Sequence, residues 1–479
     1  MSQTTRLAPP AGQPDAAGIG TARGVGTPRG VGTVGGHGRD GGHGAAGVDA
    51  ERWPDVAAVP RGPVRAAVAR LLLQMVANRL KVAVQLPDGH LIRDARLGTP
   101  TMFLHRPDDF FRRVGAGGLI GFGESYMAGD WDSDDLPGLL TIMATQIDRL
   151  VPRRLQWLRG LYVARPPADW DADEQGARRN VHRHYDLSND MFALFLDETM
   201  MYSAALFEPD ELGAPDLAVS RLAAAQRRKI DRLLEDTGVG PGSRVLEIGT
   251  GWGELAIRAA ARGAEVLTVT VSAQQRALAL QRVAAAGLSG RVTVDLRDYR
   301  EVTGQFDAIV SVEMIEAVAE RYWPEYFRVL DRLLAPGGRI GLQAITMPHY
   351  RMLATRRTQT WILKYIFPGG LIPSIAAIED NLRRHTGLEI TRRRDFGPHY
   401  ARTLQIWRDR FAAAAGDLGR LGFDQVFRRM WELYLCYSEA GFRSGYLQVS
   451  QFVLARAQAA APPAIGRAEP DESGDEVAA

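Results

Sequence analysis

A chain of 479 residues with 46% hydrophobic and 24% charged residues is long enough for two folded domains plus tails, and reads as soluble and globular. A formal net charge of +2 excludes a global field directed at nucleic acid, and no run approaches the ~20 uninterrupted apolar residues of a spanning helix. One cysteine, Cys436, excludes an internal disulfide framework and suits a reducing cytoplasm; its setting, MWELYLCYSEAGF, predicts a buried structural thiol.

Residues 1–50 are rich in Gly, Ala, Thr and Pro, with RGVGT at 23–27 repeated at 29–33, a composition that cannot bury a core and predicts a disordered tail. This segment has basic residues but no apolar stretch of the secretory kind, and its His37 and His43 have no further ligands nearby, so no metal site is expected. A first, mixed α+β domain is expected over 51–165. RAAVARLLLQMVANRL has helical periodicity, KVAVQLPDGHLIRD reads as strand–turn–strand about Pro-Asp-Gly, and TMFLHRP as a further strand. GLIGFGESYMAGDWDSDDLPGLLTIM reads as a glycine-rich turn, an acidic aromatic segment and a helix. In RLVPRRLQWLRGLYVARPPADWDADEQ, Arg149, Arg153, Arg154 and Arg159 alternate with Leu155, Trp157, Leu158 and Tyr162. That mixture suits an anionic membrane surface or a basic helix face packed on the neighbouring domain.

A linker at 166–180 leads to a catalytic domain over 181–456, and 457–479 repeats the composition of a disordered tail. From about 220, helices and strands alternate: RLAAAQRRKIDRLLEDTG, SRVLEIGTGWGELAIRAAARG, AEVLTVTVS, AQQRALALQRVAAAG, RVTVDLRDY, FDAIVSVEMI, YWPEYFRVLDRLLAPGG and RIGLQAITM. Such alternation specifies an α/β, mostly parallel sheet with helices on both faces. Ligands of these sheets bind at the C-terminal ends of the strands, where EIGTGWGE places Gly249, Gly251 and Gly253 in a turn that lets backbone N–H groups approach a ligand. The G-x-G-x-G spacing lacks the next G-x-x-G step, and the second strand ends in Thr270 rather than an acid. With Glu247 on the first strand and Asp298-Tyr299 after the third, the pattern favours S-adenosylmethionine over a nicotinamide dinucleotide.

Several blocks in order, HYDLSNDMF, LDETMMYSAALF, VLEIGTGWGE, SVEMIEAV, KYIFPGG, PHYARTLQIW and FRSGYLQVSQF, resemble the cyclopropane-fatty-acyl-phospholipid synthases and mycolic acid methyltransferases over residues 52–456. Within that family the chain is most similar to the actinobacterial tuberculostearic acid methyltransferases. The resemblance implies a class I S-adenosylmethionine-dependent methyltransferase fold and methyl transfer to an oleoyl-type acyl chain of a membrane phospholipid, with a separate reductase completing the branch. It also implies cytoplasmic location at the inner membrane face and a homodimer. By residue, it places Tyr202 and Ser203 over the methionine end of the cofactor, and His184 and Tyr185 near the reacting end. Thr270 and Gln275 fall at the ribose and Asp298 at the adenine. Glu316 and Tyr400, with the backbone of Ile345, would hold a bicarbonate ion at the reacting carbon. Two positions depart from the family: Ala204 stands where many members have cysteine, and Gln343, which has no titratable proton, where they have histidine.

An isolated double bond is a weak nucleophile, so such a site must align it with the sulfonium methyl and keep water from the resulting carbocation. Phe192, Phe195, Tyr202, Trp361, Tyr365 and Phe367 are candidate aromatic faces for the cation or walls of an acyl tunnel. Loss of a proton with ring closure gives a cyclopropane; loss without closure gives a methylene branch. Both need a base near the new methyl, for which Glu316 is the candidate. Segment 350–373, with Arg351, Arg356, Arg357 and Lys364 among Trp361, Ile362, Tyr365 and Phe367, reads as a phospholipid-docking segment or a lid helix packed on protein.

Overall fold

The structure is a computed structural model that describes residues 47–93, 99–146, 188–214, 219–356 and 358–457. The arginine–aromatic segment 149–175, and with it the linker, residues 1–46 and 458–479 of the tails, His184, Tyr185 and Arg357, lies outside the described residues. At 47–50, expected in the first tail, the chain is ordered, with Val48 packed against the core.

The N-terminal part carries β1 (Ala83–Gln85), β2 (Leu91–Arg93), β3 (Thr101–Leu104) and β4 (Trp131–Ser133) in the order β2-β1-β3-β4. β1 and β2 pair across the predicted Pro-Asp-Gly turn. Helix Pro63–Leu80 matches the periodic segment. The glycine-rich stretch is not the expected turn. Gly118 and Gly129 turn the chain, at φ +56° and +77°, and between them Leu119–Met127 is a helix. Its Gly121 and Gly123 serve packing: a Cβ on Gly121 would lie 2.0 Å from the Arg113 carbonyl oxygen, and one on Gly123 would lie 2.3 Å from the Trp361 indole. Helical periodicity was masked there because the contact positions are glycines.

The second sheet has seven strands, β5 (Arg244–Ile248), β6 (Glu265–Thr270), β7 (Val292–Leu296), β8 (Phe306–Val312), β9 (Leu334–Thr346), β10 (Leu388–Asp395) and β11 (Gln448–Arg456), ordered β10-β11-β9-β8-β5-β6-β7. The five strands read from the sequence form the parallel part, and β10 and β11 add antiparallel to its edge beyond β9. This is a Rossmann-like architecture, a mostly parallel sheet alternating with helices. The run VLEI is buried throughout because helices cover both faces. β10 was illegible as a strand: LEITRRRD exposes charge along its length, as an edge strand protected from further pairing does. β9 begins at Leu334, inside the Pro-Gly-Gly segment taken as a helix stop.

Helices Gly397–Ala413 and Gln425–Arg443 stand over the sheet's C-terminal edge and tie the two parts together. Tyr126 donates to Glu432 at 2.9 Å, and Arg429 bonds Asp132 and the carbonyl of Trp131. Cys436 is buried in this helix, and burial pushes its thiol pKa well up, as expected of a structural thiol. No helix among the described residues is long and apolar enough to cross a membrane.

Candidate active site

All five parallel strands end at one edge of the sheet, and the candidate residues gather there from separated stretches of chain. After β5 the backbone turns through Gly249, Gly251 and Gly253 at φ +96°, +51° and +92°, a region in which side chains are strained. A Cβ on Gly249 would lie 2.6 Å from the Met314 side chain, so this turn also accepts the loop that follows β8. At Gly251 nothing lies within 4 Å of where a Cβ would stand, which leaves an open cradle of backbone.

Around that cradle, Glu247 is buried, its Oε2 has no partner among the described residues, and desolvation raises its pKa to about 8. Thr270 Oγ donates to Gln275 Oε1 at 2.8 Å, and Gln275 is held in turn by the helix cap at Ser272. Asp298 lies just beyond β7: its Oδ1 accepts from the Arg300 backbone N–H at 3.0 Å and from Arg300 Nε at 2.9 Å, and its Oδ2 accepts from the same guanidinium at 2.8 Å. Tyr299 packs edge-on against Tyr326, and burial drives its phenol pKa upward. An unpaired carboxylate oxygen, an acceptor at the end of β7 and an open glycine cradle are a donor and acceptor set that fits an adenosyl group carrying a cationic methionine.

Tyr202 and Ser203 follow helix Asn189–Phe195 in an irregular strap over this edge. The Tyr202 hydroxyl lies 2.6 Å from that of Tyr434, and its ring sits 5.3 Å from Trp407 and 5.2 Å from Phe192. Ser203 Oγ accepts from Lys229 Nζ at 2.5 Å, and the same ammonium bonds the Ala204 carbonyl at 3.1 Å. Lys229 is fully buried, which lowers its pKa to about 8. Nothing in the sequence singled it out, because on helix Val219–Asp236 it looks like one more solvent-facing base.

The acidic centre differs from the one the sequence suggested. Tyr400 does not donate to Glu316: its hydroxyl donates to Glu313 Oε2 at 2.8 Å. Glu313 Oε1 accepts from Gln343 Nε2 at 2.8 Å and from the Ala204 backbone N–H at 3.0 Å. Desolvation raises the Glu313 pKa, opposed by Lys229 and by these donors. Glu316 accepts from the Ile345 backbone N–H, while its Oε2 is buried with no partner among the described residues. Desolvation, then the neighbouring charge of Glu313, pushes the Glu316 pKa to about 8. The structure thus brings Ala204, Gln343, Ile345, Glu316 and Tyr400 together, with Glu313 at their centre. Its only sequence signal was an acid placed directly after an apolar strand.

The aromatic candidates divide. Phe192 and Phe195 are buried beside Tyr202, which also meets Trp407 and Tyr434, and Phe367 packs edge-on against Tyr434. Trp361 and Tyr365 instead anchor to the N-terminal part, the first against Met127 Sδ at 3.3 Å and the second donating to Glu124 at 2.8 Å. Lys364 is ion-paired with Glu124 and with Asp55, Arg356 pairs with Glu320, and Arg351 is buried.

The family described as mycolic acid cyclopropane synthetase matches residues 172–452. The chain is 58% identical over 415 residues to the tuberculostearic acid methyltransferase UfaA1 of Mycobacterium tuberculosis (strain H37Rv), covering 86% of this chain and 97% of that one. It is 34% identical over 356 residues to the cyclopropane-fatty-acyl-phospholipid synthase of Escherichia coli (strain K12), covering 73% of this chain and 86% of that one. Among solved structures, the mycolic acid cyclopropane synthase CmaA1 complexed with SAH and CTAB is similar at a TM-score of 0.52 and 33% identity, over 58% of this chain and 97% of that one. The cofactor is S-adenosylmethionine, and the chain is a methyltransferase belonging to the mycolic acid cyclopropane synthetase family.

Proposed function

We propose that the enzyme methylates the cis double bond of an unsaturated, oleoyl-type acyl chain in a membrane phospholipid and releases a methylene-branched chain. The observation that carries this reading is the pair of inward-turned carboxylates, Glu313 and Glu316, set among aromatic rings at the edge where the cofactor binds. A carbocation must be kept from water and must lose a proton to a base held inside that dry setting. The names of the relatives supply the substrate class.

S-adenosylmethionine supplies an electrophilic methyl group. Gly249, Gly251 and Gly253 would present backbone to it, Glu247 and Asp298 would accept its polar hydrogens, and Thr270 with Gln275 would meet the ribose. Tyr202 and Ser203 close the methionine end. The alkene's electron pair would form the new bond to the methyl carbon as the carbon–sulfur pair departs with the sulfur, leaving a cation on the adjacent chain carbon. A hydride shift from the methylated carbon to its neighbour moves the cation to the branch point. The carboxylate then takes a proton from the new methyl, and the C–H pair becomes the methylene double bond. The rings of Tyr202, Tyr400, Trp407 and Tyr434 cluster beside these carboxylates, and an aromatic face presented to such a cation contributes roughly 0.5–2 kcal/mol. If the methyl proton leaves before the shift, the same cation closes to a cyclopropane, the second reading, favoured by the likeness to the cyclopropane synthases.

A water-insoluble substrate requires work at a membrane surface, so we place the enzyme peripherally on the cytoplasmic face, as a homodimer, ahead of a separate reductase that saturates the methylene product. The N-terminal part, residues 51–165, is the unit we assign to lipid or subunit contact. Expression in a host rich in oleoyl phospholipid, with analysis of fatty acid methyl esters, tests the reading. A product one methylene unit heavier than oleate, cleaved by ozone to a ketone, supports it; an ozone-resistant product of that mass establishes the cyclopropane, and no new acyl species from folded protein refutes both.

A further inference from the structure

Glu313 is the first residue after β8 and one of three non-glycine residues with positive φ among the described residues, at +51°. Glycine would take that conformation without strain, whereas a glutamate is kept there only if its side chain is held. It is held from three directions. The Ala204 N–H comes from the strap, the Gln343 amide from β9 and the Tyr400 hydroxyl from helix Gly397–Ala413, at 3.0, 2.8 and 2.8 Å. Gln343 is itself fixed, since its Oε1 accepts from Gln451 Nε2 at 3.0 Å. The buried Lys229 ammonium lies behind Ala204 and offsets the negative charge.

These donors form an anion site built for one carboxylate. A backbone N–H and a phenol each have one hydrogen to give, and here Glu313 receives both. The resemblance to the family implies a free bicarbonate on Tyr400 and Ile345. In this chain Tyr400 is committed to Glu313, and Ile345 to Glu316. The residues present therefore do not fit a diffusible bicarbonate.

We propose that Glu313 is a catalytic residue, the chain's own carboxylate in the place of a dissolved anion, and that the enzyme works without bicarbonate. This rests on the proton-removal reading above. Glu313 takes the proton from the transferred methyl as the C–H pair forms the new double bond, and releases it to water after the product leaves. Glu316, lacking a donor for Oε2, is a positioning residue that carries its own proton and keeps the pair at one negative charge.

The experiment uses the full chain and its Glu313→Gln and Glu313→Gly variants with oleoyl phospholipid vesicles and S-adenosylmethionine, in buffer stripped of carbon dioxide and with bicarbonate or formate restored. Wild-type turnover should be the same in all three buffers. Glu313→Gln should lose about a hundredfold or more and regain nothing, because its amide fills the site. Glu313→Gly, which relieves the backbone strain, should be inactive in stripped buffer and recover with formate or bicarbonate. Isotope-edited infrared spectra should show bound bicarbonate in Glu313→Gly and none in the wild type, and calorimetry should show cofactor affinity unchanged in every variant. Wild-type turnover that falls on stripping and returns with bicarbonate, or labelled bicarbonate bound to the wild type, overturns the proposal, as does near-normal turnover of Glu313→Gln. If no protein makes an acyl product in any buffer, the functional reading fails, while the infrared result still decides what fills the anion site.

Discussion

Replacing Tyr400 by Phe removes one hydroxyl and leaves the packing alone. The ring sits 4.5 Å from Phe442 and 6.2 Å from Trp407, contacts that phenylalanine keeps. What is lost is a 2.8 Å hydrogen bond to one oxygen of Glu313, whose other oxygen retains two donors. A hydrogen bond to a charged group contributes about 1.5–3 kcal/mol. That bond favours the ionised carboxylate, so its loss raises the Glu313 pKa further. Below the new pKa the ionised fraction, and kcat with it, should fall roughly 10- to 100-fold, and activity should return as the pH is raised. The assay is kcat against pH for wild type and Tyr400→Phe on oleoyl phospholipid vesicles at saturating cofactor, with the melting temperature measured in parallel. The expected result is an acidic limb displaced to higher pH with little change in stability. A loss of kcat equal at every pH, or no loss, would refute the assignment of Tyr400 as the donor that keeps Glu313 ionised.

Three further outcomes follow from the same geometry. Glu316 and Glu247 both have folded-state pKa values raised from 4.5 to about 8, so the folded protein holds protons that the unfolded chain gives up in that interval. Cofactor-free stability should therefore decline as pH rises from 4.5 to about 8, and Glu316→Gln should flatten part of the decline in thermal melts; a wild-type stability that rises across that window would contradict the burial of these groups. Gly249→Ala adds a Cβ 2.6 Å from Met314 at a φ of +96°, and should cost about 1–3 kcal/mol of stability and weaken cofactor binding in calorimetry; unchanged affinity would mean that the turn does not shape the cofactor site. Lys364→Met strands Glu124 and Asp55, so the melting temperature should drop while vesicle flotation stays unchanged; lost flotation at full stability would restore Lys364 as a headgroup contact.

The cofactor half of the site was legible because it is local. A strand, a glycine turn and a helix are consecutive in VLEIGTGWGELAIRAAARG, and Thr270, Gln275 and Asp298 sit at the ends of strands whose apolar runs announce them. The acidic centre was legible only in outline. The motif that carries Glu316 was apparent, but Glu313 is three residues earlier, and its direction depends on a positive φ that its residue type does not signal. Lys229 and Gln451 could not be picked out, since nothing separates a buried lysine from a surface one until helix Val219–Asp236 is laid against β9 and β11. Basic segment 350–373 illustrates the reverse: its composition suited lipid, but Lys364 found its counter-charge on Glu124, far away in sequence.

By itself, then, the sequence determined the alternating α/β architecture and the glycine cradle, because hydrophobic period and turn chemistry act over a few residues; an acid–phenol site was implied by the family resemblance alone. Which carboxylate the phenol serves was decided by the tertiary structure. Ala204, Glu313, Gln343 and Tyr400 lie on a strap, a strand end, a neighbouring strand and a late helix, and their hydrogen bonds exist only once the sheet edge brings them together. At that edge the geometry favours one occupant, and Glu313 holds the position.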